Sequence, residues 1–443
     1  MKRVFYLTAV LGAMLCNAPT YAQKVSDSLL PQATLQACIQ YALNHQPVVK
    51  QAQLDEDITE YTIKGKLADW YPQIGLDYSL THYLKIPTSY FNGNYVQLGV
   101  ENNSAALFQW NQNLFTRDLL LAGRTARDVR KQAKQNTESY RIDVVSNVTK
   151  AYYGMLLTQR QIDVLDEDVV RLERSLKDAY NQYQGGIVDK TDYKRATISL
   201  NNTRAQRKTA AEQLIANEAQ LRQLMGYPTR GPLPLVYDTV QMQQNIQLDT
   251  TITVTYNNRI EMQLLQTQKT LLDAQLKYNK WSFIPTVSAF ANYNFNYLNP
   301  EFSKLYNNNV PSSQVGLKVS VPIFQGSKRI YNIRQAELQI KRNDLDIENL
   351  HNQINTEYTQ AMATYKGNLN QFYVMKENVD LAQEVYNLIE MQYREGVKTY
   401  LEVITAQTDL RSAQLNYYNA MYTVLSSKVD LQRALGTIST NNY

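Results

Sequence analysis

The sequence predicts an internally duplicated α+β membrane protein, in which very long helices are joined to four β-strands of membrane-spanning length. Three observations carry this reading. A plan of roughly 200 residues is written twice. Four stretches alternate cleanly between apolar and polar side chains. Two helical stretches are far longer than a globular core can bury.

The repeat is clearest at two tight turns. Tyr183-Gln-Gly-Gly186-Ile-Val-Asp-Lys-Thr-Asp192 aligns with Tyr393-Arg-Glu-Gly396-Val-Lys-Thr-Tyr-Leu-Glu402, and the shift from Tyr183 to Tyr393 is 210 residues. The same shift brings Ala196 onto Ala406, Leu200 onto Leu410 and Gly226 onto Gly436. Upstream, Leu114-Phe115 matches Ile323-Phe324, and Pro72 matches Pro285. The first repeat is placed at 23–236 and the second at 237–443, with Pro228, Pro232 and Pro234 marking irregular chain at the join. Each repeat reads as a helix, two strands, a very long helix, a tight turn and a returning helix. In the first these fall at 33–70, 72–84 with 104–115, 117–183 and 187–226. In the second they fall at 249–282, 285–298 with 313–324, 326–393 and 397–436.

The strand assignments rest on a period of two. Val315, Leu317, Val319, Val321 and Ile323 oppose Gln314, Gly316, Lys318 and Ser320. Val287, Ala289, Ala291, Tyr293, Phe295 and Tyr297 oppose Ser288, Asn292, Asn294 and Asn296. Ile74, Leu76, Tyr78 and Leu80 oppose Gln73, Asp77, Ser79 and Thr81, and 104–115 sets Ala106, Phe108, Trp110 and Leu114 on one side. The lengths suit strands that cross a bilayer. Four strands cannot close a membrane barrel, since single-chain barrels start at about eight, so several chains would have to share one.

The long helices, at 1.5 Å per residue, would be rods of roughly 100 Å. The two shorter helices of a repeat, placed end to end, match one long one. In 397–436, Val403, Leu410, Tyr417, Val424 and Leu431 form a heptad seam, with Ala406, Ala413, Ala420, Ser427 and Ala434 in phase. Leu401, Leu415, Tyr422 and Val429 form a second seam, flanked by Ile404, Tyr418 and Leu425. A two-stranded coil needs one seam; two seams about 150° apart suit a helix standing in a ring of about twelve. The equivalent helix at 187–226 carries the first seam with Arg207 interrupting it.

Residues 1–22 read as a secretory signal: Lys2 and Arg3, an apolar run from Val4 to Leu15, and Thr20-Tyr21-Ala22 before a start at Gln23. Leu15 stands before Cys16 where a lipidated chain would carry a small residue. Cys38 is then the one cysteine left, so no intrachain disulfide is expected. No later stretch is apolar for a spanning length, which directs any membrane role to the strands. The formal charge of +5 is spread with mixed signs and suits solvated helix faces, not a nucleic-acid stripe. His45, His82 and His351 lie far apart with no metal-ligand spacing, and no phosphate-cradling loop or nucleophile elbow occurs. No enzyme, cofactor or metal is expected. A soluble periplasmic coiled-coil adaptor or structural spacer is the alternative; it accommodates the helices but leaves the four strands without a role.

The repeat, the Tyr-x-x-Gly turns at Tyr183–Gly186 and Tyr393–Gly396, the Leu-Gly ending at Leu435-Gly436 with its looser partner Met225-Gly226, and the stretch from Gly396 to Thr405 together carry a resemblance. On these residues the chain resembles the TolC-like outer-membrane efflux protein family. The resemblance implies a homotrimer with a twelve-stranded barrel in the outer membrane and a twelve-column helical tube in the periplasm. It implies a passive, gated exit channel of a tripartite efflux or type I secretion system, partnered by a periplasmic adaptor protein and an inner-membrane transporter. By position in the family's tip motifs, the gate falls on Asp192, Tyr393, Lys398 and Glu402. Lys398 and Asp192 would be the charge pair, Tyr393 a hydrogen-bond donor and Glu402 an acidic ring. Gly186, Ile187, Gly396 and Val397 would meet the adaptor. The family's second acidic tip position is Thr405 here, which leaves one acidic ring.

Overall fold

The computed structural model describes residues 30–229, 231–236 and 239–440; the expected signal at 1–22 lies outside them. The chain runs α1 (Leu35–His45), α2 (Pro47–Ala68), β1 (Gln73–His82), β2 (Thr88–Phe91), β3 (Asn94–Gln97), β4 (Asn102–Phe115), α3 (Arg117–Gln184) and α4 (Lys190–Met225). It continues through α5 (Thr239–Gln244), α6 (Ile260–Lys280), β5 (Thr286–Asn299), β6 (Ser312–Ser320), α7 (Lys328–Arg394) and α8 (Tyr400–Leu435).

Several boundaries differ from those read in the sequence, each for a local reason. The helix expected at 33–70 is two helices. Gln46 takes an extended conformation (φ −60°, ψ 123°) because the Pro47 ring excludes the helical region from the residue before it. Pro47 then opens α2, where its missing N–H would have had no partner anyway. The helix expected from 249 begins at Ile260, after a single 3-10 turn at Tyr256–Asn258. β6 stops at Ser320 instead of 324, ahead of Pro322, which has no N–H to give a ladder. The first loop holds a further hairpin, β2 against β3. Its turn places Asn92 at φ 48° and Gly93 at φ 86°, the two left-handed residues that a two-residue hairpin turn demands.

The main sheet has four antiparallel strands in the order β1-β4-β5-β6, so the two expected strand pairs meet at β4 and β5. Its register sorts the side chains by face. One face carries the rows Ile74–Trp110–Ala291–Val315 and Leu76–Phe108–Tyr293, with Val287–Val319 beyond a bulge at Leu114. The other carries Gly75–Gln109–Asn292–Gln314, and Gln109 donates to Asp77 at 2.6 Å. On that face the Phe290 ring lies over Gly316, where an added Cβ would stand 2.9 Å from it. The apolar face is open: Val315 is 83% exposed and Ile74 77%.

The helices pair as antiparallel hairpins, α3 with α4 and α7 with α8, with α8 also lying along α3. The largest core sits partway along them. There α1 brings Cys38, Ile39 and Leu43 against Val148 and Tyr152 of α3, Leu221 and Met225 of α4, and Met421, Val424 and Leu425 of α8. Burial pushes the Cys38 thiol up to about 12. The joining chain closes this core: Tyr365 donates to the Ile246 carbonyl at 2.8 Å, and Ala33 donates to the Pro234 carbonyl at 2.8 Å. The first α8 seam is buried along its whole length, from Val403 to Leu431. The second is buried at Leu425 and Val429, half-buried at Leu415 and Tyr422, and exposed at Leu401. Arg207, which interrupts the equivalent seam of α4, points to Asp166 of α3 at 2.7 Å.

The glycines that follow α7 and α8 separate two kinds of constraint. Gly436 has φ 68°, and an added Cβ would stand 2.9 Å from the carbonyl of Asn258. Gly396 has φ 75° with nothing within 4 Å of that position. Gly436→Ala is therefore expected to combine left-handed strain with a backbone clash and to cost about 2–4 kcal/mol. Gly396→Ala should cost only the strain, about 1–2 kcal/mol. Thermal unfolding of the detergent-solubilised protein checks the order, and equal losses would refute the clash.

Candidate functional site at the helical tip

Both tip turns are built by the same local rule. A helix ends, a glycine turns left-handed, and the next residue's N–H reaches back over the last turn. In the first, Gly186 has φ 71°, and Ile187 N–H donates to the Gln182 carbonyl at 2.9 Å. In the second, Gly396 has φ 75°, and Val397 N–H donates to the Gln392 carbonyl at 2.8 Å. Each turn pushes an apolar side chain outward: Ile187 is 76% exposed and Val397 72%. The returning helices are capped differently. The Asp189 side chain accepts from Thr191 N–H at 2.9 Å. Thr399 and Glu402 form a capping box, with Glu402 accepting from Thr399 N–H at 2.9 Å and from its hydroxyl at 3.0 Å.

The four residues expected at the gate lie at this tip, and within the chain Lys398 is paired with Glu402 and not with Asp192. Lys398 donates to Glu402 at 2.6 Å, one turn along the same segment. Tyr393 donates to Gln182 of α3 at 2.9 Å, and burial raises its hydroxyl above the ordinary tyrosine value. Asp192 makes no ion pair within the chain among the described residues, although its charge is felt at Tyr393. The Lys398 ammonium and the Thr399 donors hold the Glu402 carboxyl down at about 2. Tyr393 and Tyr400 pack with Leu176, Ala179, Tyr193 and Ala196, so an apolar patch holds the second hairpin to the first.

Deeper along the helices lies a polar node that the sequence reading did not single out. Asp168 of α3 is fully buried. It accepts from Gln407 at 2.8 Å and Arg411 at 2.9 Å on α8, and from Thr203 on α4 at 3.3 Å. Arg411 also donates to Thr203 at 2.6 Å, and Arg171 stands 3.6 Å from Asp168. One carboxylate thus ties both hairpins together. Its signal was in the sequence: Asp168 falls in phase with the buried seam of Leu165, Leu172 and Ala179, where a charge must find partners. The histidines are held locally, His45 stacked on Tyr41 at 3.9 Å and His82 bonded to Asn102 at 2.7 Å. No group of three metal-ligating side chains occurs among the described residues.

A four-stranded amphipathic sheet carried on paired 67- and 68-residue helices defines a channel-forming class of outer-membrane protein. The family model for outer membrane efflux proteins matches residues 38–227 and 254–437, and the chain belongs to that family. It is similar to outer membrane protein TolC of Escherichia coli (strain K12), with 23% identity over 93% of this chain and 84% of the relative. It is also similar to the toluene efflux pump outer membrane protein TtgI of Pseudomonas putida, with 24% identity over 67% of this chain and 63% of the relative. Among solved structures, CusC matches with a TM-score of 0.73 at 17% identity over 92% and 93% of the two chains. The Campylobacter jejuni CmeC outer membrane channel matches with 0.71 at 15% identity over 92% and 86%. The chain is an outer-membrane efflux channel protein.

Two outcomes follow from the site chemistry. Glu402 has a depressed folded-state pKa, so its capping contacts are fully present above the ordinary value of 4.5 and are lost as pH falls through about 2. A carbon-13 carboxylate titration should place its midpoint near 2, and a midpoint at the ordinary value would dissolve the Lys398–Glu402 pair. Asp168→Ala should destabilise the protein by about 3–5 kcal/mol by leaving Arg411 buried without its acid, whereas Asp168→Leu with Arg411→Leu should recover most of that loss. Thermal unfolding of both variants is the check; a mild Asp168→Ala would show that the node carries little.

Proposed function

We propose that three copies of this chain close one barrel and one tube, forming the passive, gated exit duct of a tripartite efflux or type I secretion system. The observation that carries this is the sheet with two open edges and an exposed apolar face. β1 and β6 are the edges, and strand directions alternate across the sheet. Setting β6 of one copy beside β1 of the next keeps the antiparallel alternation, so the contact can repeat around a ring until it closes. Three sheets of four strands would give twelve, enough for a membrane barrel. The accessible surface of 28259 Å², against roughly 17,000 Å² for a compact monomer of this length, supports surface held in reserve for neighbours. The two repeats, 23–236 and 237–443, would each supply one pair of strands to the barrel and two helical columns to the wall.

The tip is the reading's working end. Ile187 and Val397, exposed beside the left-handed Gly186 and Gly396, offer apolar knobs to a periplasmic adaptor protein, with the inner-membrane transporter beyond it supplying energy. Asp192 is free within the chain to meet Lys398 of a neighbouring copy, while Tyr393 ties the second hairpin to Gln182. With Lys398 beside each Glu402, the acidic ring is largely neutralised until that lysine is drawn away.

Native mass measurement in detergent is expected to give a trimer; a stable monomer or dimer would end this reading. In planar bilayers, Lys398→Ala with Tyr393→Phe should raise single-channel conductance and cation selectivity together, and Glu402→Gln should lower selectivity. Wild-type conductance in the double variant would remove these residues from the gate. Ile187→Asp or Val397→Asp should abolish export in cells while trimers still assemble, and undiminished export would leave these turns as helix caps only.

A further inference from the structure

The junction between sheet and helices carries a charge asymmetry that conduction does not require. Four twelve-residue stretches flank the strands on the helical side: 61–72, 116–127, 274–285 and 321–332. Together they hold nine Lys or Arg against two Asp, while Glu60, Asp128 and Asp273 stand one residue beyond them and Glu60 pairs with Lys64 at 3.7 Å. The loops at the other ends of the strands, 83–101 and 300–311, hold two residues of each sign. One of the two junction acids, Asp118, is already engaged by the Tyr278 hydroxyl at 2.6 Å. The excess is therefore positive, and it lies on the periplasmic side.

Three of the arginines are laid on aromatic rings. Arg117 stands over Tyr278 at 4.4 Å, Arg124 over Trp281 at 4.5 Å and Arg329 over Phe283 at 6.0 Å. The arginines come from the first turns of α3 and α7, and the rings come from the end of α6 and the chain leading into β5. None of the three makes an ion pair among the described residues. Arg329 gives one Nη2–H to the Pro322 carbonyl at 3.4 Å and its Nε is closed off from solvent, so only part of its N–H edge is open. A guanidinium held flat on a ring keeps its N–H edge available for an anion and loses little freedom on binding one. Phosphate suits that edge, because it accepts two parallel hydrogen bonds. A headgroup phosphate is attached to acyl chains, which would cover the open apolar face of the sheet.

We infer that these arginine–aromatic stacks form a belt that binds the anionic phospholipid headgroups of the periplasm-facing leaflet of the outer membrane. Lys277, Lys280 and Lys328, exposed in the same stretches, widen it. The inference rests on the sheet crossing the outer membrane.

The test uses purified, delipidated channel in detergent. It is titrated with phosphatidylglycerol or phosphatidylethanolamine of matched acyl chains, and bound lipid is counted by native mass spectrometry. The wild type should prefer phosphatidylglycerol by about tenfold or more, since each basic group near an anionic headgroup contributes a few-fold. Arg117→Gln with Arg124→Gln and Arg329→Gln should remove most of that preference, and the three lysine versions should retain part of it. Equal retention of the two lipids by the wild type overturns the inference, as does undiminished preference in the glutamine variant. Displacement of phosphatidylglycerol by equimolar inorganic phosphate would also overturn it, by making the site one for free anions. If the glutamine variant does not assemble, salt applied to the wild type gives the same reading: the preference must fall as screening shortens, and a salt-independent preference counts against the belt. Lipid counting does not read conduction, so a channel that holds the lipid but fails to conduct separates failure of the duct reading from failure of this one.

Discussion

A β-strand in hydrocarbon cannot leave its N–H and C=O groups unpaired, and this constraint organises the whole chain. Four strands satisfy one another internally but leave β1 and β6 open. The same sheet turns a continuous apolar face outward and gathers Gln, Asn and Asp on the other. Such a sheet suits a setting in which lipid covers one face and water wets the other, and it leaves both edges open to pairing. The even strand number matters as much as the edges, because it lets identical sheets join without breaking the antiparallel alternation.

The helical part meets a related difficulty, since a rod of roughly 100 Å has too much surface to bury within one chain. Antiparallel hairpins solve half of it, burying the first seam of α8 against its neighbours. The second seam is buried only where α1 and the joining chain thicken the wall, and it opens at Leu401 toward the tip. Packing is thus densest partway along the helices and thinnest at the end where the duct would open.

The Asp168 node stands between these two regimes. A buried carboxylate is weak evidence for stability, since its desolvation cost offsets much of the attraction to Arg411. It is strict about geometry, however: Thr203, Gln407 and Arg411 meet it from two different helices, and any slip of one hairpin along the other strands a charge. The node fixes the register of the two hairpins where apolar seams alone would tolerate sliding. In the segment beyond it, toward the tip, Tyr393 and Tyr400 hold the hairpins by an apolar patch.

The sequence by itself determined the element order, the strand faces, the tip glycines and the family, because each is written in short-range patterns: a period of two, a heptad, a glycine after a helix. Its errors fell where local chemistry competes with a pattern, as at Pro47 within an apparently continuous helix and Pro322 at the end of a strand. The Asn92-Gly93 pair is by itself a signal for a two-residue hairpin turn, and β2 closes on β3 there. Only the tertiary structure decided which charges meet across elements. Lys398 bonds Glu402 because one helical turn sets them together, while Asp192 is on another helix, oriented by a different cap. Asp168 finds Arg411 across 243 residues of chain, a pairing that no local period encodes. The physical reason is range: apolar periodicity repeats along one element, but a charge pair depends on the relative register of two, and that register is set by the whole packed wall.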